Sequence, residues 1–346
     1  MARLWPYLWG LLAAFLGGGL AHRLKLPIPW LLGSLLTTAL LTLRGAPVKA
    51  FAPGRQMGLA LIGISLGLYF TPALGRLLLA HSGWLLAAVA FAVLLGLMGS
   101  LLLRRWAGVD FKTAWFAAAV GGASEMANLA QQQGARVDQV VASHALRVLL
   151  VVSVVPFFYR FMGWHGEDFS DFASRAPGGF PALVLLLAIG GAGGGLFKLL
   201  RLPNPWTFGP LLASAALTLS GVHLATLPPA LSALGQLLIG WSLGNKFAPG
   251  FFRRAPRLLA ITALNVALSL LLTALAAGLI NRYSGLGGPT LGLALAPGGV
   301  AEMTITARAL NLGVPLVTLF HIARMVAVVA SATAIYELLA RRLKLS

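Results

Sequence analysis

Apolar residues in this chain neither alternate with polar ones nor form one-sided stripes; they run on for whole segments. Trp84–Leu103, Gln56–Gly75, Phe180–Phe197 and Leu258–Asn281 each lack a charged residue. A helix needs about 20 mostly apolar residues to cross a bilayer, and these runs have that length. Barrel strands would alternate over about ten residues, whereas these runs are apolar all round. Apolar segments fall near residues 5–21, 28–43, 56–71, 84–103, 113–133 and 139–159, and again near 180–197, 205–220, 231–247, 258–281, 290–310 and 314–339. The pattern predicts an all-α integral membrane protein.

Composition agrees with that reading. The 346 residues are 58% hydrophobic and 10% charged, against about a quarter charged in soluble domains, so the chain needs lipid as part of its solvent. Arg3 followed by Trp5–Leu20 resembles a secretory signal, but the stretch has a second copy beginning near Phe180, and the expectation is a first membrane helix. There is no cysteine, which excludes disulfides and Cys-based metal sites. The net charge of +18 raises nucleic-acid binding as a reading. The basic residues sit at the ends of apolar runs, however: Arg23 and Lys25, Arg104 and Arg105, Arg253, Arg254 and Arg257, Arg341 and Arg342. Membrane-flanking positions of this kind set topology and point to a multi-pass protein of the bacterial inner (plasma) membrane.

The chain also repeats itself. Leu24-Lys25-Leu26-Pro27-Ile28-Pro29-Trp30 returns as Leu200-Arg201-Leu202-Pro203-Asn204-Pro205-Trp206, with Gly17–Gly19 matching Gly193–Gly195 and Gly33 matching Gly209. Gly58–Pro72 aligns with Gly235–Pro249 at nine of fifteen positions. At the same spacing, Gly121-Gly122-x-x-Glu125-Met126 meets Gly298-Gly299-x-x-Glu302-Met303, and His144-x-x-Arg147 meets His321-x-x-Arg324. We therefore divide the chain into a first membrane repeat (1–159), a polar linker (160–179) carrying Glu167, Asp168 and Asp171, and a second membrane repeat (180–346). Loop charge bears on orientation. Arg44, Lys49 and Arg55 in the first copy face none in the second; Arg76 faces Lys246, Arg253, Arg254 and Arg257; Arg104, Arg105 and Lys112 face Arg282. Such complementary bias predicts inverted copies, although Arg23/Lys25 and Lys198/Arg201 do not follow it. Inversion needs an odd number of crossings per copy, and the fifth segment, interrupted at Gly121-Gly122 or Pro297-Gly298-Gly299, is expected to be a broken helix.

Ionisable residues inside a membrane are costly and mark function. Here Glu125/Glu302, His144/His321 and Arg147/Arg324 occur in matched pairs, and Gln131 is matched by Arg308. Each His–Arg pair, three residues apart, shares a helix face. A Gly-Gly break exposes a half-helix N-terminus, which favours anions, and breaks at matching places in two repeats point to a transport site. Gly121, Gly122, Glu125, His144, Arg147, Gly298, Gly299, Glu302, His321 and Arg324 are the candidate substrate- or ion-binding residues. The bland reading is that each Glu neutralises its Arg and that each His is a packing residue bonded to a carbonyl. Gly63-x-Ser65-x-Gly67 reads as close helix packing, and each Pro-x-Pro-Trp as a helix start or kink.

These motifs, spread over nearly the whole chain, resemble the AbrB-type duplicated membrane proteins of bacteria. The resemblance implies a regulator of gene expression under one family label and an ammonia monooxygenase under another. The residues supply no His-rich or Cys metal cluster for the second and no soluble DNA-binding domain for the first. Gly-Leu-x-Leu-Ile-Gly-x-Ser-Leu-Gly is more loosely similar to early helices of inverted-repeat cation/proton antiporters, without their paired-Asp site. The expectation is a secondary transporter or exporter of a small anion or polar metabolite, with proton coupling at the acids, and not an enzyme; the alternative is a non-transporting membrane regulator. No cofactor and no metal are expected. The expected partners are the lipid bilayer, a small-molecule or ion substrate and at most a second copy of the chain, with no direct nucleic acid.

Overall fold

The structure, a computed structural model, describes residues 4–70, 72, 82–166 and 178–342; Arg76, Glu167, Asp168 and Asp171 lie outside the described residues. Within them every regular element is helical, as the sequence predicts. In the first half these are α1 (Trp5–Arg23), α2 (Pro29–Leu43), α3 (Ala52–Gly67), α4 (Ser82–Leu102), α5 (Phe111–Ala118), α6 (Ala123–Gln132) and α7 (Val137–Phe161). The second half holds α8 (Phe180–Leu199), α9 (Pro205–Leu219), α10 (Pro229–Gly244), α11 (Pro256–Ser284), α12 (Gly288–Leu295), α13 (Val300–Ala309) and α14 (Val314–Arg342), with a short turn at Phe251–Arg254. Five helices are long and apolar enough to cross a membrane, among them α7, α8 and α11. Their outer faces suit lipid. Leu271, Leu275 and Leu279 on α11 are 58%, 62% and 60% exposed, a bare leucine stripe that lipid can cover. On α1 the same spacing exposes Leu8, Leu12, Leu16 and Leu20.

The chain divides into two compact units, each drawing on both sequence halves. Unit 1 comprises Met1–Leu79, Pro156–Gly250 and Thr304–Pro315; unit 2 comprises Ala80–Val155, Phe251–Met303 and Leu316–Ser346. The sequence halves rest on repeated motifs and the units on packing, so the two divisions are of different kinds.

Unit 1 is held together by glycines. Its helices pair reciprocally: α1 with α2 and α8 with α9, then α2 with α10 and α3 with α9. A Cβ at Gly244 would lie 1.9 Å from Thr38 Oγ1, and one at Gly67 would lie 2.0 Å from Ser214 Oγ. Small residues let backbones approach where lipid provides no hydrophobic drive. The approach is then used: Ser214 Oγ donates to the Ile64 carbonyl at 3.2 Å and Thr218 Oγ1 to the Gly67 carbonyl at 3.1 Å. The Gly63-x-Ser65-x-Gly67 segment thus packs as its composition predicts.

The repeated Pro-x-Pro-Trp elements also start helices. Pro29 and Pro205 open α2 and α9, where a missing N–H costs nothing. The residues before them, Ile28 and Asn204, hold left-handed backbones at φ 42° and 45°. A branched side chain is strained there by about 1–3 kcal/mol, and Ile28 is kept in place by burial. Each Trp then lies on a glycine of the preceding helix: a Cβ at Gly18 would meet the Trp30 ring at 2.6 Å, and one at Gly194 the Trp206 ring at 2.7 Å.

Gly244→Ala should therefore wedge α10 off α2. Overpacking of this kind costs about 1–3 kcal/mol, and thermal unfolding of the purified protein should show a lowered midpoint. Gly195→Ala, where an added Cβ meets nothing within 4 Å, should be neutral or slightly stabilising. Equal effects at the two positions would contradict the packing account.

Candidate functional site

All ten residues singled out from the sequence fall in unit 2. Its core is α5: Phe111 and Ala114 through Ala118 are buried, packed with Met126, Val140, Leu258, Val328 and Ala332. Trp115 Nε1 donates to the Ala332 carbonyl at 2.9 Å, and Phe111 stacks on Tyr336 at 6.0 Å. The fifth segment of each copy is broken, as expected. Ala119–Gly122 separates α5 from α6, and Ala296–Gly299 separates α12 from α13. Each piece has only eight or ten residues, too few to cross a bilayer alone.

A break of this kind leaves helix-end carbonyls without partners, and burial makes that expensive. Arg147, on α7, meets the need in the first copy. Its Nη1 donates to the Ala119 carbonyl at 3.0 Å and to that of Ala118 at 3.4 Å, and its Nη2 reaches the Gly121 carbonyl at 3.4 Å. Arg147 Nη2 also donates to His144 Nδ1 at 2.8 Å. Guanidinium nitrogens only donate, so Nδ1 is the bare nitrogen, and Nε2–H donates to the Phe116 carbonyl at 2.9 Å. His144 and Arg147 together cap the C-terminus of α5 and place a cation where the helix dipole favours one.

Arg324, on α14, does the same in the second copy, donating to the Ala296 carbonyl at 2.6 Å and the Gly298 carbonyl at 2.7 Å. His321 departs from its counterpart. Its Nδ1–H donates to Val317 on its own helix at 2.9 Å, which leaves Nε2 as a buried acceptor with no hydrogen-bond partner among the described residues. Both histidines therefore bond a backbone carbonyl, as packing residues would, and one of them keeps a spare lone pair.

The acids sit on the other side of each break. Glu125 and Glu302 occupy the first turns of α6 and α13, where negative charge suits the helix N-terminus. Gly122 is the cap residue of α6, with no side chain capping it. Glu125 Oε2 is buried without a hydrogen-bond partner among the described residues. Glu302 folds back over the residue that starts its helix: a Cβ at Gly299 would fall 2.1 Å from Glu302 Oε2. Gly121 and Gly298 make room for Met126 and Met303, whose atoms would be 2.9 and 2.6 Å from an added Cβ. None of these glycines has a positive φ; they supply space. The simple pairing of each Glu with its Arg is not what the guanidiniums do. They donate to carbonyls and, from Arg147, also to His144 Nδ1.

One cation escaped the sequence reading of the site. Arg308, on α13 and within unit 1, donates from Nη1 to Ser65 Oγ at 2.5 Å and to Ser232 Oγ at 3.1 Å. The signal for it was the mismatch with Gln131 at the repeat-matched position.

Capping and ion pairing predict different stabilities. Arg324→Met strips the buried Ala296 carbonyl and the half-buried Gly298 carbonyl of their donors and should cost about 1–3 kcal/mol for the buried one alone. Glu125→Gln leaves every Arg147 bond in place and should cost less than about 1 kcal/mol, whereas breaking a buried ion pair costs about 3–5 kcal/mol. Chemical unfolding of the two variants checks this; a Glu125→Gln protein as damaged as Arg324→Met would contradict the capping geometry.

Comparison with known proteins adds the family. A family model described as "Transition state regulatory protein AbrB" matches residues 30–340. The chain is 26% identical to "Uncharacterized protein YhjN" of Bacillus subtilis (strain 168) over 96% of its own length and 92% of that protein's. It is 26% identical to "Putative regulator AbrB" of Escherichia coli (strain K12) over 90% of its own length and 89% of that protein's. With an all-helical architecture, helices fit for a membrane and a family match over most of its length, this chain belongs to the AbrB family.

Proposed function

We propose that this protein is a multi-pass transporter or exporter of the bacterial inner membrane, carrying a small anion or polar metabolite, with Glu125 and Glu302 as proton- or substrate-linked acids. The observation that carries the reading is the pair of interrupted helices in unit 2, each with its carbonyls capped by a buried arginine and its acid left on the far side of the break. A merely structural helix would run unbroken and spare the cost of two buried cations. Once the carbonyls are capped, the unpartnered Oε2 of Glu125 is free to exchange a proton or meet a substrate. The like-charged Arg147 and Arg324 favour an anion near them, and His321 Nε2 offers an acceptor to a polar one. Discontinuous helices in corresponding positions are the usual signature of a carrier site. Two compact units, each drawing on both halves, also suit a carrier that works by rigid-body change. In this reading the two copies are inverted in the membrane, no catalysis is involved and no nucleic acid is bound.

The regulator name of the Escherichia coli relative favours a second reading: a membrane protein that binds a ligand at the same breaks and signals to a partner without moving the ligand across.

Proteoliposomes under an imposed proton gradient, offered a panel of small carboxylates, phosphate and neutral polyols, separate the two. The carrier reading expects concentrative uptake of at least one anion, lost in Glu125→Gln and in Glu302→Gln while both variants stay folded. Saturable binding with no uptake would move the conclusion to the regulator. Inversion has its own check, since the chain lacks cysteine. Single cysteines at Ala50 and Ala255 should both resist an impermeant thiol reagent applied to whole cells; labelling of one alone would point to parallel copies.

A further inference from the structure

Unit 1 contains a cavity lined by none of the ten residues at the helix breaks. It has a volume of about 360 Å³ and is lined by Arg308, Ser65, Ser232, Gln236, Trp30 and Ile62, among others. None of its lining residues is acidic. Arg308 donates from one nitrogen, Nη1, to two neutral hydroxyls. Among the described residues no partner is recorded for its Nη2 or Nε, so an edge of the guanidinium remains available. Ser65 and Ser232 are 4% and 6% exposed. Each accepts from Arg308 with its oxygen and keeps its own proton to donate. Gln236 Oε1 is buried in the same wall without a partner, and an amide can turn to present its NH₂ instead. The donors gathered here are a planar fork, two hydroxyls and an amide, beside an indole and aliphatic side chains. Planar forks of this kind recognise carboxylates two bonds at a time, and a mostly apolar cavity with a few placed polar groups is the usual form of a small-ligand site.

We infer that this cavity binds an organic monocarboxylate, its carboxylate held by Arg308, Ser65 and Ser232 and its apolar body lying against Trp30 and Ile62. The arrangement draws on both copies and is not repeated at the matching positions. The positions matching Arg308 and Ser232 in the first are Gln131 and Arg55. The inference does not rest on the carrier reading, because it uses none of the ten residues at the breaks.

Calorimetric titration of the purified full chain with phenylacetate and with the neutral phenylacetamide tests it. Phenylacetate should bind at least tenfold more tightly. Arg308→Gln, the residue that the first copy carries at this place, should abolish the preference. Arg308→Lys should keep part of it, having the charge without the fork. Ser65→Ala and Ser232→Ala should each weaken phenylacetate several-fold and keep the protein assayable if Arg308→Gln fails to fold. Gly195→Ala, where an added Cβ meets nothing within 4 Å, should bind phenylacetate as the wild type does; the cavity shares no residue with the ten at the breaks, so a failed transport assay leaves this result standing. Equal affinities for acid and amide, or unchanged binding in both serine variants, would overturn the inference. Repeating the titration in nanodiscs of pure phosphatidylcholine and of phosphatidylglycerol separates a free carboxylate from a lipid headgroup. Binding should persist in both, and its loss in phosphatidylglycerol would assign the cavity to an anionic lipid headgroup and overturn it.

Discussion

A main-chain carbonyl that has lost its helix partner where water is scarce must find another donor or cost the fold about 1–3 kcal/mol, and unit 2 is arranged around that requirement. Two helices are interrupted in its interior. Each interruption would leave the last carbonyls of one short helix and the first amides of the next without partners. Arg147 and Arg324 answer the carbonyl side with charge-assisted bonds of 2.6–3.4 Å, and Glu125 and Glu302 sit on the amide side. Charge and dipole agree at both ends of each gap. The arginines act as caps of the broken helices.

The same physics shapes unit 1 by a different route. There glycines bring the backbones together until serine and threonine hydroxyls can reach a neighbouring carbonyl, as Ser214 and Thr218 do. Contacts at this range leave little room for one helix to slide on another. A glycine-packed unit and one whose helices are broken and capped divide the labour between scaffold and site. That division links packing to function in the proposed carrier.

Much of this was legible in the sequence because glycine and proline announce their uses. Gly121-Gly122 and Pro297-Gly298-Gly299 marked the breaks, Pro29 and Pro205 marked helix starts, and Gly63 and Gly67 marked a close approach. The matched lengths of α2 and α9, fifteen residues each, follow the spacing of the repeated motifs. The partners of the charged residues were not legible. A three-residue spacing puts His144 and Arg147 on one face but does not say what that face meets, and opposite charges at Glu125 and Arg147 suggested a pair where the chain makes two caps. The divergence of His321 from His144 depends on a rotamer, which no motif encodes. Arg308, Ser65 and Ser232 come from three helices far apart in sequence. Only the broken match with Gln131 hinted that the second copy had acquired something of its own.

The account turns on what the two buried arginines hold. Solid-state NMR in lipid, on protein labelled with ¹⁵N-arginine, ¹³C-carbonyl alanine and side-chain ¹³C-glutamate, measures it at both breaks. Single Arg→Lys and Glu→Gln variants assign the signals. Short nitrogen–carbonyl contacts from Arg147 to Ala119 and from Arg324 to Ala296, matching the hydrogen bonds of 3.0 and 2.6 Å, are the predicted result, with the Glu125 carboxyl outside hydrogen-bond range of Arg147. A Glu125 carboxylate directly on the Arg147 guanidinium, with the Ala119 carbonyl left alone, would contradict the account.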